Sequence, residues 1–341
     1  MFGRSAKPIR LQVWAKTDLG KTRDHNEDRF LVADLTRREA SLLPHVRDHE
    51  VGDRGSLFIV ADGMGGAAAG ELASEMAIET IYDEMVKTWG SERETTPQRF
   101  AHRLKEAVEA ANAHINSYAK AHAEARGMGT TTTAAGVLGE RCYVTQVGDS
   151  RAYLVRHGQA HQLTKDQSLM QRLVEAGELT EEEAAQSERR NIILQALGPD
   201  PRVKVDLTHQ DVRKGDVLVL CSDGLSGQVK NEEIAQIVSA APDVRTACER
   251  LIGLANERGG PDNITVVLAR FDGDGLRPPG AGEPVGHQVF PLIDTEASTA
   301  PVPAYQGPVP ASARRDRWRM VAAALLAAAA VTVAIYLAAR Q

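Results

Sequence analysis

Carboxylates that close apolar runs are the residues of this chain best placed to do chemistry. Leu57-Phe58-Ile59-Val60-Ala61 runs into Asp62-Gly63 within VADGMGG, and Val217-Leu218-Val219-Leu220-Cys221-Ser222 runs into Asp223-Gly224. A carboxylate at the mouth of a buried strand sits on rigid scaffold, and the glycine after it lets backbone or ligand approach closely. Two more acidic clusters flank strand-like sequence. One is Arg23-Asp24-His25-Asn26-Glu27-Asp28, and the other is Pro261-Asp262-Asn263 ahead of Ile264-Thr265-Val266-Val267-Leu268. A lone Asp-Gly is commonly just a turn, but repeated acidic clusters beside strands point to convergence on one charged ligand. Every candidate donor is an oxygen, with no His or Cys cluster, a set that selects Mg2+ or Mn2+ over zinc.

Such carboxylates need strands braced by helices. Thr132–Leu138, Arg141–Val147 and Arg151–Arg156 read as short β-rich runs joined by Gly139-Glu140 and Gly148-Asp149-Ser150. Connections that short join only antiparallel strands. Leu72 to Trp89 carries Ala73, Ala77, Ile81 and Met85 at helical spacing. Thr96 and Pro97 read as the N-cap and first position of a second helix, which buries Phe100, Leu104, Val108, Ala111, Ile115 and Tyr118. Helices bracketing antiparallel meanders predict layered α+β, not a doubly wound parallel sheet.

With 341 residues, 43% apolar and 25% charged, the chain has enough apolar residues for a sizeable core. A net charge of −6 and the lack of a basic block in the globular part exclude a nucleic-acid binder. Cys142, Cys221 and Cys248 show no C-x-x-C spacing and read as small core residues in a reducing compartment. Arg4, Lys7 and Arg10 have no apolar stretch behind them, unlike a signal peptide. From Asp272 to Ala313 prolines and glycines replace periodicity, which predicts a linker over 272–313 after a domain at 8–271. Met320 to Ala339 is uncharged and long enough for roughly 30 Å of helix, so a transmembrane helix is expected over 318–339. Arg314, Arg315, Arg317 and Arg319 precede it and only Arg340 follows. That asymmetry places the domain on the cytoplasmic face of a plasma or bacterial inner membrane.

The order of motifs resembles the metal-dependent Ser/Thr protein phosphatases of the protein phosphatase 2C family, in their bacterial form. The matching pieces are GKTRDHNED at Gly20–Asp28, VADGMGG at Val60–Gly66, GTTTTAAGV at Gly129–Val137 and VGDSRAYL at Val147–Leu154. LTKDQSL at Leu163–Leu169, CSDGL at Cys221–Leu225 and GGPDNITVV at Gly259–Val267 complete the set, which spans Trp14 to Phe271. The resemblance implies a four-layer α/β/β/α sandwich of two antiparallel sheets flanked by helices. It also implies hydrolysis of phosphoserine and phosphothreonine by a water bridging two Mn2+ or Mg2+ ions. Asp62 would bridge the ions, the Gly63 carbonyl would help hold one, Asp223 and Asp262 would complete one shell, and Glu27 would reach the other ion. Asp28 would orient a ligand or bound water, Arg23 would bind the substrate phosphate, and Asp149 would serve a third, weaker metal site. Implied partners are phosphorylated proteins, with a cognate Ser/Thr kinase and its substrates among them.

The chain departs from the family pattern where a histidine general acid is expected. That position after DGMGG is Ala67, the alternative directly after Asp-Gly is Met64, and Gln167 replaces a histidine common in the K-D-H-S stretch. General acid catalysis is typically worth roughly 10²–10⁴-fold, so its loss should slow turnover on a serine leaving group more than on an aryl one. His25, in the Arg23–Asp28 island, is read as a solvent-facing or capping residue. A catalytically weak phosphoprotein-binding pseudophosphatase is the alternative reading, and a two-metal nuclease fails for lack of a basic groove.

Overall fold

Leu11, Val13 and Ala15 are buried while Arg10 and Gln12 are exposed, so the first strand divides its side chains between core and solvent. The computed structural model describes residues 7–41 and 47–292. The chain divides into two compact units, Met1–Tyr305 and Gln306–Gln341, and every described residue belongs to the first. The expected membrane helix at 318–339 lies outside the described residues. Among the described residues no helix is long and apolar enough to cross a membrane.

The elements in chain order begin with β1 (Arg10–Asp18), β2 (Asp28–Asp34), β3 (Glu39–Ser41), β4 (Arg47–Glu50) and β5 (Ser56–Met64). Helices α1 (Ala67–Lys87) and α2 (Pro97–Ala121) follow, then β6 (Gly129–Thr130), β7 (Thr132–Leu138), β8 (Arg141–Val147), β9 (Arg151–Arg156) and β10 (Gln159–Gln162). Two short helices, α3 (Leu169–Glu175) and α4 (Glu181–Gln186), precede β11 (Asp206–Asp211) and β12 (Val217–Cys221). The domain ends with α5 (Asp223–Ser226), α6 (Asn231–Ala240), α7 (Val244–Glu257) and β13 (Ile264–Asp272).

One sheet runs β10-β9-β12-β13-β1-β4 and the other β11-β8-β7-β5-β2-β3, with β6 paired to the end of β5. The named pairings are antiparallel. Between the sheets, Phe30, Phe58, Val60 and Val144 form one core with Leu11, Val13, Leu154, Leu220 and Val267. The other face of β5 packs Leu57, Ile59 and Ala61 with Met76, Ile81, Phe100 and Leu104 of α1 and α2. On the far side, Val219, Cys221, Val266 and Leu268 pack with Ile234, Val238, Leu251 and Ile252 of α6 and α7. Three stacked cores require four layers, helix–sheet–sheet–helix, as the resemblance implied. Burial on both faces also explains why Leu57–Ala61 is apolar without alternation.

Two elements differ from the sequence reading. Helix α1 begins at Ala67, five positions ahead of Leu72, because the glycine turn feeds straight into it. The Pro- and Gly-rich stretch after Asp272, expected as linker from its start, stays on the domain to Leu292. Gly275 N–H donates to the Pro8 carbonyl at 3.1 Å, and Phe290 N–H to the Leu207 carbonyl at 3.0 Å. Glu283 meets Arg213 at 2.8 Å and Arg277 at 3.1 Å, while the buried Phe290 ring stands edge-on to Tyr143 at 5.2 Å. A few spaced anchors among prolines leave no periodic trace for sequence reading to find.

Candidate active site

The ends of β2, β5, β12 and β13 bring the acidic clusters to one edge of the sandwich. Asp28 and Asp62 are register partners on antiparallel neighbours, which puts their side chains on the same face. Strand β5 does not stop at Ala61; Asp62 and Gly63 belong to it because β2 and β6 pair alongside. The Asp62 carbonyl accepts from Thr131 N–H and from Thr130 Oγ1, each at 2.8 Å, and Asp62 N–H donates to Thr131 Oγ1 at 3.1 Å. Asp223 is the first residue of α5, with one residue between it and β12, and its charge acts on the Asp62 carboxyl group.

Glu27 is fixed through its backbone. Its carbonyl accepts from Ser74 Oγ at 2.6 Å and from Gly63 N–H at 3.2 Å, and its N–H donates to Asn263 Oδ1 at 2.9 Å. Its carboxylate lies against Gly70, where a Cβ would stand 2.0 Å from Oε2. Gly63 is equally restricted, since a Cβ there would meet the Gly70 carbonyl at 2.1 Å. Asn263 Nδ2 also donates to the carbonyls of Leu19 at 3.0 Å and His25 at 2.9 Å, tying the 19–27 loop to the neighbour of Asp262. Asp262 accepts from Arg23 Nη2 at 2.7 Å and from Asn263 N–H at 2.8 Å.

The electrostatics are those of crowded, desolvated carboxylates. Burial, then repulsion from Asp28 and Asp223, holds the Asp62 carboxyl well above its ordinary range. Burial raises Asp28 to about 7 against the opposing hydrogen bond from Ser222 Oγ at 2.7 Å. Asp149, in the turn after β8, is pushed to about 8 by burial and by Asp223, and Asp223 itself to about 6 by burial and Asp262. Glu27 is shifted upward by burial first. Asp28 Oδ1 and Asp223 Oδ1 are buried with no hydrogen-bond partner. As they stand, no three His, Cys, Asp or Glu side chains among the described residues form a finished ligand cluster, and Asp262 is committed to Arg23. Orphaned carboxylate oxygens, mutual repulsion and an all-oxygen donor set nevertheless fit a hard divalent cation, whose charge would relieve the first two.

The structure therefore gathers Glu27, Asp28, Asp62, Gly63, Asp223 and Asp262, with Asp149 in electrostatic range of Asp62 and Asp223. Arg23 reaches the same edge, and His25 is exposed. Sequence reasoning gave no role to Ser222, Thr130, Thr131 or Asn263, although all four lie in the quoted motifs. Their work is done by hydroxyl and amide contacts across the fold, which spacing along the chain does not encode.

Comparison with known proteins agrees with this geometry. The sequence profile of the protein phosphatase 2C family matches residues 45–265. The chain is 36% identical to the serine/threonine phosphatase Stp of Listeria monocytogenes over 257 residues, 75% of this chain and 94% of that protein. It is also 36% identical to the serine/threonine protein phosphatase PstP of Mycobacterium tuberculosis, over 76% of this chain and 45% of that longer protein. Among solved structures, the S. agalactiae serine/threonine phosphatase superposes with a TM-score of 0.66 at 35% identity, covering 76% of this chain and 99% of that one. The catalytic domain of PstP in complex with two manganese ions gives a TM-score of 0.63 at 36% identity, over 77% of this chain and 99% of that one. A shared sandwich, the family profile over most of the chain and a Listeria relative matched over 94% of its length lead to one conclusion: the chain belongs to the protein phosphatase 2C family.

Proposed function

We propose that this protein-serine/threonine phosphatase hydrolyses phosphoserine and phosphothreonine in proteins at a dinuclear Mn2+ or Mg2+ site. The observation that carries the reading is the convergence of Asp28, Asp62 and Asp223, register partners or charge neighbours that burial and each other's charge push up, with two of their carboxylate oxygens left unpartnered. Asp62, the Gly63 carbonyl, Asp223 and Asp262 would hold one ion, and Glu27, with Asp62, would serve the second. Asp149 would serve a further, weaker site. When bound, the ions lower the pKa of water and neutralise charge on the phosphoryl group.

The chain's own residues do the remaining work. Asp28, held by Ser222 through Oδ2, keeps its other oxygen buried and free to accept. Arg23 meets Asp262 through Nη2, and its guanidinium carries further N–H groups in a planar fork that matches phosphate oxygens. The Gly63 and Gly70 positions, where no Cβ fits, let strand and helix close around Glu27. The same proposal places the domain on the cytoplasmic face of a membrane through the apolar segment at 318–339, acting against a Ser/Thr kinase and its substrates. The charge asymmetry around that segment supports this.

The test is phosphate release by the full chain from an aryl phosphate and from a phosphothreonine peptide, with Mn2+, with chelator and as Asp223→Asn. Both activities should vanish with chelator and fall by roughly 100-fold or more in Asp223→Asn. Metal-independent release would overturn the metal reading. Tight phosphopeptide binding with no turnover on either substrate would establish a pseudophosphatase instead.

A further inference from the structure

Strand β2 sends consecutive side chains to opposite faces, so Asp28 points between the sheets to Ser222 and Arg29 points to α1. On the α1 side Arg29 brackets Glu27. Its Nη1 donates to the carbonyl before Glu27, that of Asn26, at 3.0 Å and to the carbonyl after it, that of Asp28 itself, at 2.7 Å. Its Nη2 donates to Glu71 Oε1 on α1 at 2.5 Å. The Glu27 peptide groups between these two carbonyls are held by Ser74, Gly63 and Asn263. Among the described residues the Glu27 carboxylate accepts no hydrogen bond of its own; burial and neighbouring charges act on it, and Gly70 lies against it. Its place therefore follows from how the backbone on either side is fixed. Glu71 is also a charge neighbour of Glu27, and Arg29 pairs with that charge.

We propose that Arg29 is a positioning residue for the second metal ion: by bracketing Glu27 and anchoring on Glu71, it sets where the Glu27 carboxylate meets metal. The inference rests on the dinuclear reading above. Charge and position make opposite predictions here. Arg29 is a cation next to a proposed cation site, so its removal should tighten Mn2+ binding if charge were its whole effect. Removal of a group that holds a metal ligand in place should instead loosen binding, typically by roughly 10- to 100-fold.

Calorimetric titration of the full chain with Mn2+ tests this, with Glu27→Gln marking the step that belongs to the second ion. The wild type should take up at least two ions. Arg29→Met keeps an unbranched apolar stem and loses the guanidinium. It should weaken the step that Glu27→Gln weakens, by about tenfold or more, and leave the other step unchanged. Arg29→Lys keeps the charge without the planar fork and should weaken the same step. Should Arg29→Met fail to fold, this charge-matched variant decides alone. A folded variant in which the Glu27-dependent step is unchanged or tighter overturns the positioning role. So does equal weakening of both steps, the mark of a general structural loss. A wild type that binds one Mn2+ or none, or a Glu27→Gln variant that titrates like the wild type, brings down the dinuclear reading with Glu27 as ligand instead.

Discussion

At the residue scale, the carboxylates proposed to hold metal are present while the proton donor expected after DGMGG is an alanine. Ala67 carries nothing that can protonate a leaving oxygen, and α1 starts there, so the position sits at the rim of the glycine turn that follows Asp62. An aryl oxide leaves without help, whereas a serine or threonine alkoxide needs a proton. Ala67→His should therefore raise kcat on a phosphothreonine peptide by about tenfold or more, within the range general acids supply, and barely change kcat on an aryl phosphate. Paired steady-state assays on the two substrates check this. Equal effects on both would mean that another group already delivers the proton. His25 is poorly placed by its exposure, but its carbonyl bond to Asn263 keeps it on the same loop as Arg23.

At the element scale, α1 and α2 carry a titratable pair of opposite habit. Burial, then repulsion from Glu75 and Asp83, raises Glu79 on α1 to about 7. Burial lowers His114 on α2 to about 4, with its Nδ1 at 2.9 Å from Thr80 Oγ1. A carboxyl whose folded pKa is raised adds stability that is complete below its unfolded pKa and is lost as pH rises through the folded value. A buried neutral histidine does the reverse, adding stability above its unfolded pKa that is lost as pH falls. Relative to Glu79→Gln, the wild type should thus lose thermal stability between about pH 4.5 and 7 and run parallel above that. Melting curves of both proteins across this range decide it, and a flat difference would show that Glu79 stays ionised. The elements themselves were largely legible in the sequence. Thr132–Leu138, Arg141–Val147 and Arg151–Arg156 are strands with the bounds read from it, and Thr96 caps α2 by accepting from Arg99 N–H. What escaped reading lacks periodicity. The excursion between β10 and β11 is held by Gln167 and by bridges such as Ser168 to Ile193, and the strap after β13 by Glu283 and Phe290. Long-range contacts of single residues leave no local signature.

At the scale of the whole molecule, the strap changes how far the catalytic edge could work from a membrane. The last described residue, Leu292, still lies on the domain and the apolar segment proposed as anchor begins at 318, so at most 25 residues, 293–317, separate them. A chain of that length spans at most about 80–90 Å even when fully extended. The full linker expected from Asp272 would have allowed far more. If the proposed anchor holds, the domain would be confined to the layer occupied by other membrane-bound proteins, which would suit the proposed opposition to a membrane-associated kinase. Two consequences follow for one experiment. The full chain should sediment with membranes and be released by detergent, not by salt, because burial of an apolar segment is indifferent to screening. A chain ending at residue 313 should stay in the supernatant with unchanged kcat on an aryl phosphate, since the strap and every site residue are retained. Salt release of the full chain would show an electrostatic attachment through Arg314, Arg315, Arg317 and Arg319 instead, and an entirely soluble full chain would remove the tether from the proposal.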